Sequence, residues 1–156
     1  MNSVTIVCSD ENRVEMPINS IKRNLTILNC LQDTIGDVDD PDENITEPIP
    51  IPFPSEILHW VIEFDKLHSD DPLPPTQDNN SDEPYDPLTP IDLKIREDEK
   101  EFFEKLFNSS VKTFFGVMRA TNYLHNRGLL NPMGKFVARM ITENDDVQLY
   151  HMFMED

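Results

Sequence analysis

The sequence predicts an α+β domain, with a small sheet at one end of the chain and helices over most of the rest. Three observations carry this. Residues 3–16 alternate apolar and polar with a turn between. From residue 54 onward the apolar residues recur at helical spacing. Between these, eleven of the thirteen prolines fall within Pro41–Pro90, against four glycines in the whole chain. Helices segregated to one side of a short sheet are the α+β arrangement. At 156 residues, one domain with its own core is expected.

Val4, Ile6 and Cys8 lie on one side of an alternating run, the pattern of a half-buried strand. Ser9-Asp10-Glu11-Asn12 is turn chemistry, and Arg13-Val14-Glu15-Met16 alternates again. Residues 3–16 therefore read as a β-hairpin that Pro17 ends. Asn19 or Ser20 is placed to cap a short helix through Ile21. A second helical piece after Thr26 uses Ile27, Cys30 and Leu31, so Cys30 is expected to be a small buried hydrophobe.

Residues 33–47 hold seven acids and no Lys or Arg, and read as a solvated acidic loop. Asp37-Val38-Asp39 begins like a calcium loop. Pro41 then stands at the fifth-position ligand and Asp42 at the required glycine, so calcium is not expected. Proline alternates in Glu47-Pro48-Ile49-Pro50-Ile51-Pro52. It removes ladder donors along one edge, which fits a short third strand at the edge of the sheet. Residues 54–67 read as a helix, with Pro54 at its first position and Ile57, Trp60, Val61, Phe64 and Leu67 as its stripe. Residues 68–90 are proline-rich and acidic, a linker.

From Glu97 the chain is helical. Phe102, Phe103, Leu106 and Phe107 form one apolar face. A second stripe, Phe114, Val117, Met118, Thr121 and Leu124, is expected to end at Gly128. Asn131-Pro132 reads as a cap with proline at the first helical position, ahead of Met133, Phe136, Val137, Met140 and Ile141. Thr142 or Asn144 is placed to cap a last helix, with Asp145 and Asp146 in its first turn and Leu149 and Phe153 at i, i+4.

Composition excludes several functions. With 13 Lys+Arg against 30 Asp+Glu the net charge is −17, so nucleic acid and anionic membrane surfaces are not expected partners. No run of 18 apolar residues suggests a spanning helix, and the first residues do not resemble a signal peptide. Cys8 and Cys30 are too few for a disulfide framework. A reduced, intracellular protein is expected. There is no nucleophile elbow, no glycine-rich phosphate loop and no CxxC. His59, His68, His125 and His151 lack zinc-ligand spacing. No catalytic residue, metal or cofactor is expected. The helices of 132–153, apolar on one side, either complete the core or offer a groove to a partner.

Several segments carry a resemblance in order along the chain. They are Val4–Glu11, Leu25-Thr26-Ile27 through Leu31-Gln32-Asp33, Glu47–Pro52, Ile57-Leu58 through Val61-Ile62, and His68–Pro75. The sharpest are Ala120-Thr121-Asn122-Tyr123-Leu124 with Gly128-Leu129-Leu130, and Val137-Ala138-Arg139-Met140-Ile141. Together they resemble the S-phase-kinase-associated family, the adapter subunits of SCF-type ubiquitin ligases, with a BTB/POZ fold. The resemblance implies a BTB/POZ-like core over 1–128, containing the acidic loops 33–47 and 68–90, and a shortened F-box-binding helical extension over 129–156. It implies a non-enzymatic adapter of the cytoplasm and nucleus that bridges a cullin scaffold to F-box proteins. By the same resemblance Asn122 and Tyr123 lie on the cullin-facing helix. Leu129, Leu130, Val137, Met140, Ile141, Leu149 and Phe153 belong to the region that receives the F-box.

Three positions depart from the family's pattern. Phe102-Phe103 stands where the family has Trp-Asp, Arg119 replaces an aliphatic residue, and the chain ends at Asp156, short of two further helices. Weakened F-box binding is the expectation from the last of these. A self-associating or elongin-C-like module without an F-box partner is the alternative.

Overall fold

The computed structural model describes residues 3–35, 48–69 and 94–154, with Ile35 and the last three of these by backbone alone. The acidic runs 36–47 and 70–93, and with them the calcium-loop residues Asp37 to Asp42, lie outside the described residues.

Strand β1 (Ser3–Val7) pairs antiparallel with β2 (Arg13–Pro17), Val4 opposite Met16 and Ile6 opposite Val14. These four inward residues are all buried, so the alternation sets the register. The two-residue β3 (Ile49–Pro50) runs parallel to β1, giving the order β2-β1-β3. The third strand is short and at an edge, as the prolines require.

α1 (Ile18–Ile21) and α2 (Leu25–Ile35) follow the hairpin. Neither Asn19 nor Ser20 caps α1, which begins after Pro17; the Ser20 hydroxyl instead donates to Asp65 inside the protein. α2 runs three residues into the expected acidic loop. Its buried positions are Ile27 and Leu31, whereas Cys30 is exposed. Cys30 points past the narrow stripe that α2 turns toward its neighbours, into an open depression lined by Leu28, Asn29 and Asp33.

α3 (Ser55–Leu67) starts after Pro54, one residue later than the proline rule predicts. Its cap comes from the hairpin turn. One Asp10 oxygen accepts from the Ser55 backbone N–H at 3.1 Å and from its hydroxyl at 2.7 Å. A carboxylate at a helix N-terminus is favoured by the peptide dipoles. The Ser55 hydroxyl bond in particular holds the Asp10 carboxyl down to about 2.

His68, expected at the head of a linker, is buried. Its ring lies 4.7 Å from that of Phe64, its Nε2 lies 3.2 Å from Glu99 Oε2, and Arg23 donates to its carbonyl. Side chains from two other parts of the chain thus hold the residue that composition alone assigns to solvent.

α4 (Glu97–Ser109), α5 (Val111–Leu124), α6 (Arg127–Glu143) and α7 (Asp146–Met154) complete the fold. Phe64, Phe103 and Phe114 are fully buried. Phe64 stacks on Phe103 at 5.6 Å, and Phe136 of α6 meets both Phe103 and Phe114 at 5.6 Å. This aromatic cluster welds α3, α4, α5 and α6 into one core. Gly116 lets α3 close on α5, since a Cβ there would lie 2.9 Å from Ile57 Cδ1.

The boundary between α5 and α6 differs from the sequence expectation. α5 ends at His125, which is left-handed (φ 55, ψ 44), and Asn126 caps α6 by accepting from the Leu129 N–H at 3.2 Å. Gly128 lies in the first turn of α6, and Pro132 sits inside it. A glycine and an Asn-Pro pair are the stronger local signals. They lose because Asn126 is tied to buried groups elsewhere in the fold. The cap of α7 is Asp145, not Thr142 or Asn144. Asp145 and Gln148 exchange reciprocal bonds of 2.8 and 2.9 Å, a capping box.

Candidate functional site

At the C-terminal end of α5, Ala120, Thr121 and Leu124 face the core, so Asn122 and Tyr123 face solvent. Tyr123 is 45% exposed and its ring meets Phe53 edge-on at 5.5 Å. The Thr26 hydroxyl donates to the Tyr123 carbonyl at 2.7 Å. The ring is therefore held upright by Phe53 and the backbone beneath it by α2. An aromatic with few rotatable bonds, already propped in place, binds a partner at small entropic cost. Arg119, one turn earlier, is also exposed.

α6 divides its apolar residues by helical face. Leu129, Met133, Phe136 and Met140 are buried in the core, with Leu129 at 0% exposure. Leu130 and Val137 are half-buried and Ile141 is 53% exposed. Leu149 on α7 is half-buried, and the side chain of Phe153 lies outside the described residues. Sequence reasoning missed Val147 and Tyr150, which are 65% and 62% exposed. Their signal was present in the spacing from Val147 to Tyr150, which puts a second apolar row on α7 beside Leu149.

Two depressions lie along α6. One, lined by Asn122, His125, Arg127, Leu130 and Asn131, brings the exposed end of α5 beside the first turn of α6. The other lies between α4 and α6, with Phe107, Phe136 and Met140 in its lining and Lys100, Glu104, Arg139 and Glu143 around them. Its charges are partly matched, Arg139 lying 3.5 Å from Glu143.

Chemically the surface offers binding groups. The Cys8 thiol is buried, and burial, reinforced by the nearby Asp10 charge, raises its pKa, which disfavours a reactive thiolate. Among the described residues no group of three His, Cys, Asp or Glu side chains is placed to hold a metal ion. Among them too, no helix is long and apolar enough to cross a membrane.

No protein-family model matches the chain. Curated proteins do. The E3 ubiquitin ligase complex SCF subunit sconC of Arthroderma benhamiae is 33% identical over 141 residues, covering 90% of this chain and 75% of that protein. SKP1-like protein 18 of Arabidopsis thaliana is 26% identical over 152 residues, covering 97% and 83%. The SCF ubiquitin ligase complex protein SKP1a of Dictyostelium discoideum is 27% identical over 154 residues, covering 98% and 83%.

Proposed function

The chain belongs to the SKP1 family of SCF ubiquitin-ligase subunits, and from that premise we propose how its two exposed faces share the work. It is an adapter subunit of an SCF-type E3 ligase and not an enzyme. The adapter reading is the one its relatives support, rather than a self-associating module without F-box partner.

We assign Asn122 and Tyr123, with Phe53 behind the tyrosine ring, to the cullin scaffold. Leu130, Val137 and Ile141 of α6, together with the exposed row of α7, are assigned to the F-box protein. Leu129 and Met140 lie beneath this face, buried in the core, and are not assigned to the partner. The observation that carries the assignment is the division of α6, whose core-facing row is buried while Leu130, Val137 and Ile141 keep exposed area. An adapter needs no chemistry of its own. It needs two apolar faces with polar rims, held at a fixed separation, and binding energy concentrated in a few anchors. The same reading locates the protein in the cytoplasm and nucleus, where an exposed free thiol such as Cys30 stays reduced.

Pull-down with the double variant Asn122→Ala/Tyr123→Ala tests the assignment. Cullin capture is expected to fall by at least about tenfold, the loss of one aromatic anchor, with F-box capture retained. Equal cullin capture by wild type and variant would overturn it.

A further inference from the structure

A buried carboxylate lies under the corner between the two faces. Asp65 of α3 is only 4% exposed. Its Oδ1 accepts from Asn126 Nδ2 at 2.9 Å, and its Oδ2 accepts from Asn24 Nδ2 at 3.1 Å and from the Ser20 hydroxyl at 2.5 Å. Asn126 Nδ2 donates also to Asn24 Oδ1 at 3.1 Å, while Asn126 Oδ1 accepts the Leu129 N–H and so starts α6. A second strut from α2 meets the same corner, with Thr26 bonded to the Tyr123 carbonyl and lying 3.3 Å from His125 Nδ1.

The connection between α5 and α6 is two residues long, His125 and Asn126. Both are gripped by groups from α2 or α3. Burying a charged group is expensive, and burial pushes the Asp65 carboxyl up against the pull of Ser20, Asn126, Asn24 and the Arg23 charge. Apolar residues of similar volume fill a core more cheaply. What a hydrogen-bonded carboxylate supplies, and apolar packing does not, is direction: the Asn126 amide is fixed in both position and orientation.

We propose that Asp65 is a positioning residue: acting through Asn126, it sets the angle between the end of α5 and α6, and hence the orientation of the F-box face relative to the cullin face. The proposal rests on the assignment of those faces given above. In an adapter, that angle decides where a delivered substrate sits relative to the ubiquitin-charged enzyme on the scaffold. Loosening it lowers the rate of transfer, a matter of proximity, and leaves each separate binding step alone.

Asn126→Ser isolates the effect. Serine is as good a cap for α6 but is too short to reach Asp65 and Asn24. Val14→Ala, a buried position in the sheet, is the control for general destabilisation. Ser20→Ala, which removes one donor from Asp65, is the milder variant should the first not fold. Spin labels on the exposed native Cys30 of α2 and on Gly134→Cys of α6, where a side chain meets nothing within 4 Å, report the corner by pulsed electron resonance. The distance distribution is expected to broaden at least twofold in Asn126→Ser, less in Ser20→Ala, and not in Val14→Ala. In the assembled ligase, ubiquitination of an F-box-delivered substrate is expected to slow at least fivefold in Asn126→Ser, with each binary Kd within twofold of wild type. An unchanged distribution, or equal slowing by Asn126→Ser and Val14→Ala, would overturn the positioning role. Should the wild type bind neither partner, the assignment of the faces fails, and the label distances still decide the corner.

Discussion

Leu129 and Ile141 are both apolar, both lie on α6, and the family resemblance assigns both to the F-box region, yet the structure separates them. Leu129 has no exposed area, so replacing it with alanine leaves a cavity in the core. Such a change costs about 2–5 kcal/mol. For a chain of this length that is a drop in Tm of roughly 6–15 °C, at roughly 3 °C per kcal/mol. Ile141 keeps 53% of its surface exposed. Fully burying an isoleucine is worth about 1.5–3 kcal/mol, so a partner that covers the open half gains about 0.8–1.6 kcal/mol. Ile141→Ala is then expected to weaken F-box binding about 4- to 15-fold, while shifting Tm by no more than about 2 °C. The assay is scanning fluorimetry for Tm, with calorimetric titration against a set of F-box domains at a temperature where both variants are folded. Leu129→Ala is expected to titrate within twofold of wild type. The reasoning is refuted if Ile141→Ala lowers Tm as far as Leu129→Ala, or if its F-box affinity is unchanged.

Other outcomes follow from single contacts. Gly134 is on the open side of α6, so Gly134→Ala is expected to stabilise by about 0.5–1 kcal/mol in chemical denaturation. Gly116→Ala should gain less, because the new methyl requires Ile57 to move. The Asp10 carboxyl, at about 2 in the fold against the ordinary 3.8, contributes stability that is full above 3.8 and lost as pH falls through about 2. Asp10→Asn is therefore expected to be less stable than wild type at neutral pH, with the gap closing between those values. Asp65 is shifted the other way, above 3.8. Its linked contribution is full below 3.8 and lost as pH rises through its raised value, so the stability of Asp65→Asn relative to wild type should improve with rising pH across that range. A gap that does not vary with pH, for either variant, would contradict the corresponding linkage.

The hairpin, the edge strand and the helical stripes of α3 to α6 were legible in the sequence because each is written in local periodicity. The Phe102-Phe103 departure also has a physical reading: Phe103 lies at the centre of the aromatic cluster, with Phe102 edge-on to Phe64 and Trp60. What periodicity does not encode is which groups distant residues will claim. Gly128 and Asn131-Pro132 punctuate the sequence more strongly than His125-Asn126, but only Asn126 has Asp65 and Asn24 beneath it. His68 looks like linker until Glu99, Arg96 and Arg23 are brought to it. Cys30 fits a helical stripe whose outer edge is left exposed. Asn122 and Tyr123 are exposed as an interface requires, whereas the burial of Leu129 beside half-open Leu130 depends on the start of α6, which the sequence misplaces.

Reconstitution of the chain with a cullin N-terminal domain and an F-box protein, followed by light scattering on the eluted complex, bears most directly on the adapter role. One assembly of mass equal to the three components in 1:1:1 ratio is the expected result, forming only when this chain is present. Elution of the chain alone, or as a homodimer with both candidate partners left behind, would contradict it.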